Sequence, residues 1–323
     1  MKHPLLLLAC LATLTVQAKD VDFATRADVR DFAAEMAKKH SFDTRELLIQ
    51  FHHARHITAV IKAIQPPKNP AIRSWQTYRS RFVEPRRIAA GKRFMEEHRD
   101  ALARAEAQFG VPPEIVAAII GVETIYGRNT GSFETFSALT TLAFDYPPRA
   151  ELFRRELEAL LLLARDEKRS PQSYRGSYAG ALGLPQFLPS SVRSWAVDFD
   201  GDGAIHLTSS AEDAIGSVAS FLAAHGWTRM GPIVLPTTVA GERIAALLTE
   251  GIQPKRPAQS LREWGVQVAD DAPAQAAALI DLVTPDAPTE YRLGYDNFYV
   301  ITRYNRSSFY ATAVADLAAA LKE

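Results

Sequence analysis

Glu123 places a carboxyl group on the apolar side of a predicted helix. It follows Ile119 by four residues and Ile115 by eight, so the three side chains share one helical face. A carboxyl group shielded from water favours its neutral form, which raises its pKa and suits a general acid near neutral pH. A buried glutamate paired with Arg128 or Arg149 is the alternative, since structural ion-pair networks also bury carboxylates. The spacing by itself leaves both interpretations open.

A glycine-rich segment, residues 176–187, combines hydrogen-bonding side chains with flat apolar ones. Its glycines remove side chains, so that a ligand can approach the backbone closely. Ser177 and Gln186 offer hydrogen bonds, while Tyr178 and Phe187 offer apolar faces, a mixture that suits a sugar ring. The alternative is a glycine-rich contact between helices.

An acidic segment beginning at residue 198 follows the start of an EF-hand calcium loop. Carboxylates occupy loop positions 1, 3 and 5, and glycine occupies position 6. The three carboxylates are Asp198, Asp200 and Asp202. Position 12 is Ser209, which cannot supply a bidentate carboxylate, so we expect a longer loop closed by Glu212 or Asp213. An acidic surface turn is the alternative, but the pattern favours calcium.

The composition is that of an ordinary globular protein. The chain has 323 residues, of which 47% are hydrophobic and 23% charged, and 37 basic residues balance 37 acidic ones. A zero net charge argues against nucleic acid as a partner, because binding to phosphates needs a strongly basic face. The apolar content excludes long-chain disorder, and no apolar run reaches the roughly 20 residues that a membrane-spanning helix requires.

Residues 1–18 have the pattern of a secretory signal. A short basic start precedes an apolar stretch over residues 5–16, and a small-x-small cleavage site ends at Ala18. The expected product is an exported protein that is soluble in the periplasm after cleavage at Ala18. Two alternatives are a buried N-terminal helix and a lipid anchor to the outer membrane through Cys10, the only cysteine.

Helical spacing dominates the rest of the chain. It predicts helices over residues 115–126, 151–168, 209–225 and 311–322, whereas residues 233–236 and 277–283 read as short strands separated by prolines. The predicted fold class is therefore mainly α (α+β). The predicted segments are a signal peptide (1–18), an N-terminal α domain (19–92), a core (93–230) with the calcium loop (198–213), a small β-containing insertion (231–291) and a C-terminal part of the core (292–323).

Five sequence blocks, taken together, resemble the lytic murein transglycosylase B family. In chain order they are GVPPEI and IGVET (residues 110–124), FDYPPRA (144–150), GSYAGA to QFLPSS (176–191), VDFDGDG (197–203) and ITRYN (301–305). The resemblance implies a lysozyme-like helical core with an added α domain and a small β domain. It also implies an enzyme that cleaves the MurNAc–GlcNAc β-1,4 bond of peptidoglycan without water and leaves a 1,6-anhydromuramoyl end.

The resemblance further implies roles for individual residues. It makes Glu123 the catalytic acid and base, whereas ordinary glycoside hydrolysis uses two carboxyl groups. The side chains that it assigns to the glycan groove are Ser177, Gln186, Tyr304, Tyr78 and Arg149. The ligands that it assigns to a structural calcium ion are Asp198, Asp200, Asp202, Asp213 and the carbonyl of Ala204, with the choice between Asp213 and Glu212 open. No cofactor is expected for catalysis.

Peptidoglycan glycan strands are the implied partner of a monomeric enzyme, with other cell-wall enzymes as further candidates. Two other functions are weighed against the transglycosylase. The first is a hydrolytic muramidase on the same core, with Asp145 or Glu134 as its base. The second is a non-catalytic peptidoglycan-binding module stabilised by calcium, which would not need a desolvated acid at Glu123.

Overall fold

A computed structural model of the protein describes residues 22–66 and 73–323. Helices dominate these residues, and the strands among them form a two-stranded and a four-stranded antiparallel sheet. The predicted fold class, mainly α with a minor β part, is confirmed. The predicted signal peptide, with Ala18 and Cys10, lies outside the described residues.

The chain divides into two compact units, the first of which ends at His56. The described part of this unit holds helices α1 (Ala27–His40) and α2 (Thr44–His53). Phe32 and Phe51 are both buried and meet edge to face, with their ring centroids 6.0 Å apart. The segment boundaries predicted at residues 92, 230 and 291 remain predictions.

The second unit, from Ile57 onwards, holds the remaining helices. The predicted helices over 151–168 and 209–225 are confirmed as α9 and α11, with ends that differ by one or two residues. The helices are α3 (Thr58–Ile64), α4 (Trp75–Phe82), α5 (Pro85–Glu97), α6 (Arg99–Phe109), α7 (Pro113–Thr124), α8 (Thr135–Asp145), α9 (Ala150–Asp166), α10 (Pro189–Trp195), α11 (Ala211–Ala224), α12 (Ile244–Leu248), α13 (Asp296–Tyr304) and α14 (Ser308–Lys322).

Helix α7 is the apolar centre of this unit. It begins with Pro113 in its first turn, where the missing N–H group costs no hydrogen bond. Ile115, Ile119 and Ile120 are buried, and the helix packs against α14, α11 and α5. Among the described residues no single helix is long and apolar enough to cross a membrane, although α6 and α7 would pass that test as a pair bent by 113°.

Two antiparallel sheets complete the second unit. Strands β1 (Phe133–Glu134) and β2 (Arg175–Gly176) pair with each other. The larger sheet comprises β3 (Val234–Thr237), β4 (Arg256–Pro257), β5 (Ala276–Leu282) and β6 (Glu290–Gly294), in the spatial order β3-β6-β5-β4. Leu279 and Leu293 face each other on β5 and β6 and are buried. The expected short strands over 233–236 and 277–283 correspond to β3 and β5.

Candidate active site

Glu123 lies in the last turn of α7, one residue before the helix ends. Ile125 and Tyr126 follow with φ angles of 53° and 57°, in the left-handed region. This conformation is uncommon for residues other than glycine, and for a β-branched residue it is a true outlier. The predicted helix over 115–126 is therefore too long at its C-terminal end, because two consecutive left-handed residues turn the chain away from the helix axis.

The carboxyl group of Glu123 has a tyrosine as its partner. Tyr310 OH donates a hydrogen bond to Glu123 Oε1 across 2.7 Å. Burial raises the pKa of Glu123 to about 7, and the Tyr310 hydrogen bond opposes that rise because it favours the charged form. Within the described part of the chain, the ion pair with Arg128 or Arg149 that we considered as an alternative is not formed. Glu123 is half-buried at the end of this apolar helix, and its role as an acid stays a prediction.

Three tyrosines surround this carboxyl group. Tyr304 stacks on Tyr310 with ring centroids 6.4 Å apart, and its hydroxyl donates to Pro185 O across 2.5 Å. Burial, with the charge of Glu123 as a second cause, raises the pKa of Tyr78 to about 12 and that of Tyr304 well above its ordinary value. All three phenols are therefore neutral hydrogen-bonding groups at the pH where Glu123 titrates.

Thr124 joins the end of α7 to the glycine-rich segment. Its hydroxyl donates to Leu184 O across 3.0 Å and accepts from Gly127 N across 3.0 Å. Thr124 and Leu184 are buried, so the bond between them replaces water for both groups. The residue after Glu123 thus fixes the end of α7 to the segment that carries Ser177 and Gln186.

The glycine-rich segment is a tightly hydrogen-bonded loop rather than a contact between helices. Ser177 Oγ accepts from Ala181 N across 3.0 Å, and among the described residues its own proton is donated to no protein group. The side-chain amide of Gln186 donates to Thr130 O across 3.0 Å and to Gly183 O across 2.9 Å. A Cβ atom at Gly183, where φ is +67°, would collide with a neighbouring carbonyl group, so this turn requires glycine.

Arg149 lies at the end of a short 3-10 turn that precedes α9. It is exposed, and its guanidinium stacks over the ring of Phe153 at 5.3 Å. The structure therefore brings Tyr78 and Tyr304 to Glu123 and ties the loop of Ser177 and Gln186 to the same helix end, whereas Arg149 makes its described contact elsewhere.

The sequence that builds this site matches a known family. The family sequence model described as the transglycosylase SLT domain matches residues 24–319. The chain belongs to this transglycosylase family. The predicted family and enzyme class are confirmed.

Relatives of this transglycosylase agree along nearly the whole chain. The membrane-bound lytic murein transglycosylase B of Escherichia coli K12 is 38% identical over 309 residues, which cover 93% of this chain and 84% of the relative. The crystal structure of soluble lytic transglycosylase SltB1 from Pseudomonas aeruginosa is 45% identical, covers 91% of this chain and 98% of its own, and has a TM-score of 0.84. Lytic transglycosylase Slt35 of E. coli in complex with calcium is 38% identical, covers 93% and 94%, and has a TM-score of 0.81.

The transglycosylase also brings three acidic side chains of the predicted calcium loop together. Ligand oxygens of Asp198, Asp200 and Asp202 all lie within 4.8 Å of one another. Backbone amides from within the loop shape each carboxylate, as when Gly201 N and Gly203 N donate to Asp198 across 2.7 and 2.8 Å. A hydrogen bond from Ser210 is the main cause that lowers the pKa of Asp200. These hard oxygen donors fit a calcium ion.

The carboxylate of Asp213, and not that of Glu212, bonds to the backbone of this loop, whereas the choice of calcium ligand between the two stays a prediction. The fully buried Asp213 accepts from Phe199 N across 2.8 Å and from His206 N across 2.6 Å, so it holds the start of the loop to its middle. Glu212 instead pairs with Arg104 across 2.5 Å. Among the described residues Asp213 is not part of the three-carboxylate cluster, and the amide of Ala204 donates to Asp202 across 2.9 Å.

Tyr310 is the site residue that sequence reasoning missed. The closing helix of the transglycosylase was predicted to begin at residue 311, but α14 begins at Ser308 and includes Tyr310. Its signal in the sequence was a single tyrosine on an otherwise apolar helix face. A tyrosine hydroxyl buried on such a face needs a hydrogen-bond partner. That partner could not be identified, because Glu123 lies 187 residues away in the chain.

Proposed function

We propose that this lytic transglycosylase cleaves the MurNAc–GlcNAc β-1,4 bond of peptidoglycan with Glu123 as its single acid and base. The observation that carries this proposal is the Glu123 carboxyl group at the end of α7, which accepts a hydrogen bond from Tyr310; burial raises its pKa to about 7. A catalytic group is most effective when its pKa lies near the operating pH, because both protonation states are then accessible.

The reaction conserves the proton on Glu123. The neutral carboxyl group first protonates the glycosidic oxygen as the bond from C1 to that oxygen breaks. The resulting carboxylate then takes the proton of the C6 hydroxyl while the C6 oxygen attacks C1, which forms the 1,6-anhydro ring and regenerates the acid. No water enters, so a second carboxylate to activate it is not required. Tyr310, as hydrogen-bond donor to Glu123 Oε1, holds the carboxyl group in place through both steps.

The glycan strand is proposed to lie across the tyrosine cluster and the glycine-rich loop. Tyr78 and Tyr304 offer aromatic faces to the sugar rings, and Ser177 has a hydroxyl proton left to donate. Gln186 keeps the loop in shape through its bonds to Thr130 O and Gly183 O. Arg149, being exposed, is proposed to meet an anionic part of the substrate at the edge of the groove.

A structural calcium ion is proposed for the loop of residues 198–213. Asp198, Asp200 and Asp202 would supply hard oxygen ligands, and Asp213 secures the backbone around them. Slt35, which is described above, forms a complex with calcium, and this supports the same ion here. The ion would neutralise three clustered carboxylates and has no part in the proton transfers.

Export to the periplasm is proposed from the signal-like residues 1–18 and from the relative that is named as membrane-bound. Cleavage after Ala18 would give a soluble enzyme, whereas processing at Cys10 would give a lipid-anchored one. Mass spectrometry of the mature N-terminus distinguishes them, because only the second product carries acyl chains.

Digestion of purified peptidoglycan sacculi tests the proposed reaction. Muropeptides lighter than the hydrolytic products by the mass of one water, with no reducible muramoyl end, are expected from the wild-type chain, and none from Glu123→Gln. Reducing muramoyl ends would instead identify a muramidase. Within the described residues, however, the candidate base Glu134 is already engaged by Ser137 across 2.7 Å. No release at all would leave a binding module, an alternative that the transglycosylase relatives do not support.

A further inference from the structure

Arg87 is a buried cation beside the last turn of α7. It lies in the first turn of α5 and is only 7% exposed. Its Nη1 donates to Gly121 O across 2.6 Å and to Val122 O across 3.3 Å, and its Nη2 donates to Arg81 O across 3.2 Å. The guanidinium carbon also lies 5.2 Å from the centre of the Phe82 ring. Its hydrogen bonds in the described part of the chain thus go to backbone carbonyls.

The carbonyls that Arg87 binds belong to the two residues immediately before Glu123. The last four carbonyl groups of a helix have no partner within it, and they form the negative end of the helix dipole. Arg87 Nη1 reaches two of these carbonyls, and the planar guanidinium fork places Nη2 at Arg81 O at the same time. Gly121 O also accepts from Ile125 N across 3.1 Å. The same carbonyl therefore connects Arg87 to the first left-handed residue after the helix.

Tyr126 completes the contact from the other side. Its ring occupies a slot made by Gly91 of α5 and Gly121 of α7, and a Cβ atom at either glycine would collide with the phenol. Its buried hydroxyl group and Arg87 Nε have no hydrogen-bond partner among the described residues. Burying a cation with an unpartnered donor is expensive, and an apolar side chain of similar volume would often serve stability as well or better. A guanidinium at this position therefore indicates a role other than stability.

We infer that Arg87 is a positioning residue for catalysis, which fixes the direction of the Glu123 carboxyl group by holding the Gly121 and Val122 carbonyls at the end of α7. It acts through the backbone and does not touch the substrate. A small rotation of the last helical turn would move the carboxyl group relative to the glycosidic oxygen, and displacements of about 1 Å can cost on the order of a hundredfold in rate. This inference rests on the proposed role of Glu123.

The test compares Arg87→Lys and Arg87→Gln with the wild-type chain on a soluble glycan of alternating GlcNAc and MurNAc. Lysine keeps the charge but not the planar fork, whereas glutamine keeps one neutral donor group. We expect kcat to fall by at least about tenfold in Arg87→Gln and by less in Arg87→Lys, with KM changed by no more than about twofold in both. Thermal unfolding is measured first, so that each variant is assayed at a temperature at which it is fully folded.

Two reference variants make the result specific. Arg86→Gln changes the neighbouring exposed arginine on the same helical turn and should leave kcat and KM unaltered. Glu123→Gln reports on the proposed function separately: activity retained there would refute the role of Glu123 itself, whatever Arg87 does. If Glu123→Gln is inactive while folded Arg87→Gln keeps the wild-type kcat, with KM unchanged or raised, the positioning role is wrong. Should Arg87→Gln fail to fold, a folded Arg87→Lys with wild-type kcat overturns the inference equally.

Discussion

The hydroxyl group of Tyr310 donates to Glu123 Oε1 across 2.7 Å and so connects α14 to the end of α7. Both residues lie in apolar surroundings, and each affects the ionisation of the other. The hydrogen bond favours the charged carboxylate, while the carboxylate is one of the causes that raise the pKa of Tyr310. The pKa of Glu123 is therefore set by two opposing effects: burial favours the protonated form, and the hydrogen bond from Tyr310 favours the ionised form.

Removing the Tyr310 hydroxyl group should shift the pH dependence of catalysis upward. This hydrogen bond lowers the pKa of Glu123 from the value that burial alone would set. In Tyr310→Phe the alkaline limb of the kcat profile should therefore move to a higher pH than in the wild type, where it is expected at about pH 7. The peak kcat should fall as well, since the carboxyl group loses its only described anchor. Initial rates on a soluble glycan across the pH range measure both effects.

Tyr291→Phe is the control for this change: Tyr291 is a half-buried tyrosine on β6 of the larger sheet, and the substitution removes the same hydroxyl group there. Its pH profile should coincide with that of the wild type. An alkaline limb of Tyr310→Phe that stays in place or moves to lower pH would contradict the assigned effect of the hydrogen bond.

Ionisation of Glu123 at alkaline pH should lower the free energy of unfolding. Its pKa is raised from 4.5 to about 7 in the folded state, so the folded chain binds this proton more tightly than the unfolded chain. The free energy of unfolding should therefore fall as pH rises through that interval, by an amount on the order of 3 kcal/mol. Glu123→Gln, which stays neutral, should be more stable than the wild type above about pH 8 and similar to it near about pH 4.

Urea unfolding of both proteins at several pH values measures this difference. Glu290→Gln, an exposed carboxylate on β6, serves as the control and should follow the wild type at each pH. A constant gap between Glu123→Gln and the wild type at all pH values would show that Glu123 does not titrate in this interval.

The sequence predicts the chemistry of this site better than its assembly. The spacing of Glu123 from Ile115 and Ile119 placed its carboxyl group on the apolar face of a helix, because helical periodicity is local, but it left open whether an arginine pairs with that group. The calcium-loop pattern was equally local. Tyr310 and Arg87 were missed because their contacts depend on how α14 and α5 pack against α7, and no short-range pattern encodes that packing.

The ends of elements were the other weak point. Nothing in the apolar run marks Ile125 and Tyr126 as left-handed, since isoleucine is a poor residue for that conformation and the surrounding structure must impose it. The choice between Glu212 and Asp213 was likewise open until the pairing of Glu212 with Arg104 showed which carboxylate turns inward.

Calcium removal should destabilise the fold more than it slows catalysis. Three exposed carboxylates within 4.8 Å repel one another without a cation, and an ion bound only by the folded state adds to its stability. Chelation should therefore lower Tm, and added calcium should restore it, while kcat at a temperature where the chain stays folded changes little. Asp198→Asn and Asp202→Asn should weaken the calcium response, as measured by calorimetric titration.

Asp271→Asn, an exposed acidic residue outside the loop, is the control for these variants and should titrate with calcium as the wild type does. A melting curve that is the same with and without the chelator would refute a bound structural ion.

Two buried threonines should respond in opposite ways to the loss of their hydroxyl groups. Thr124 Oγ1 bridges Leu184 O and Gly127 N, whereas Thr140 Oγ1 has no hydrogen-bond partner among the described residues. Both residues are fully buried, and valine has nearly the same shape as threonine. Thr124→Val should cost about 1–3 kcal/mol, because it leaves the carbonyl of buried Leu184 and the amide of half-buried Gly127 without this partner, and Thr140→Val should be neutral or stabilising. Because Thr124 adjoins Glu123, its variant should also lose kcat at a temperature where it is folded, and that of Thr140 should not. Equal unfolding free energies for the two variants would contradict the bridge between the catalytic helix and the glycine-rich loop.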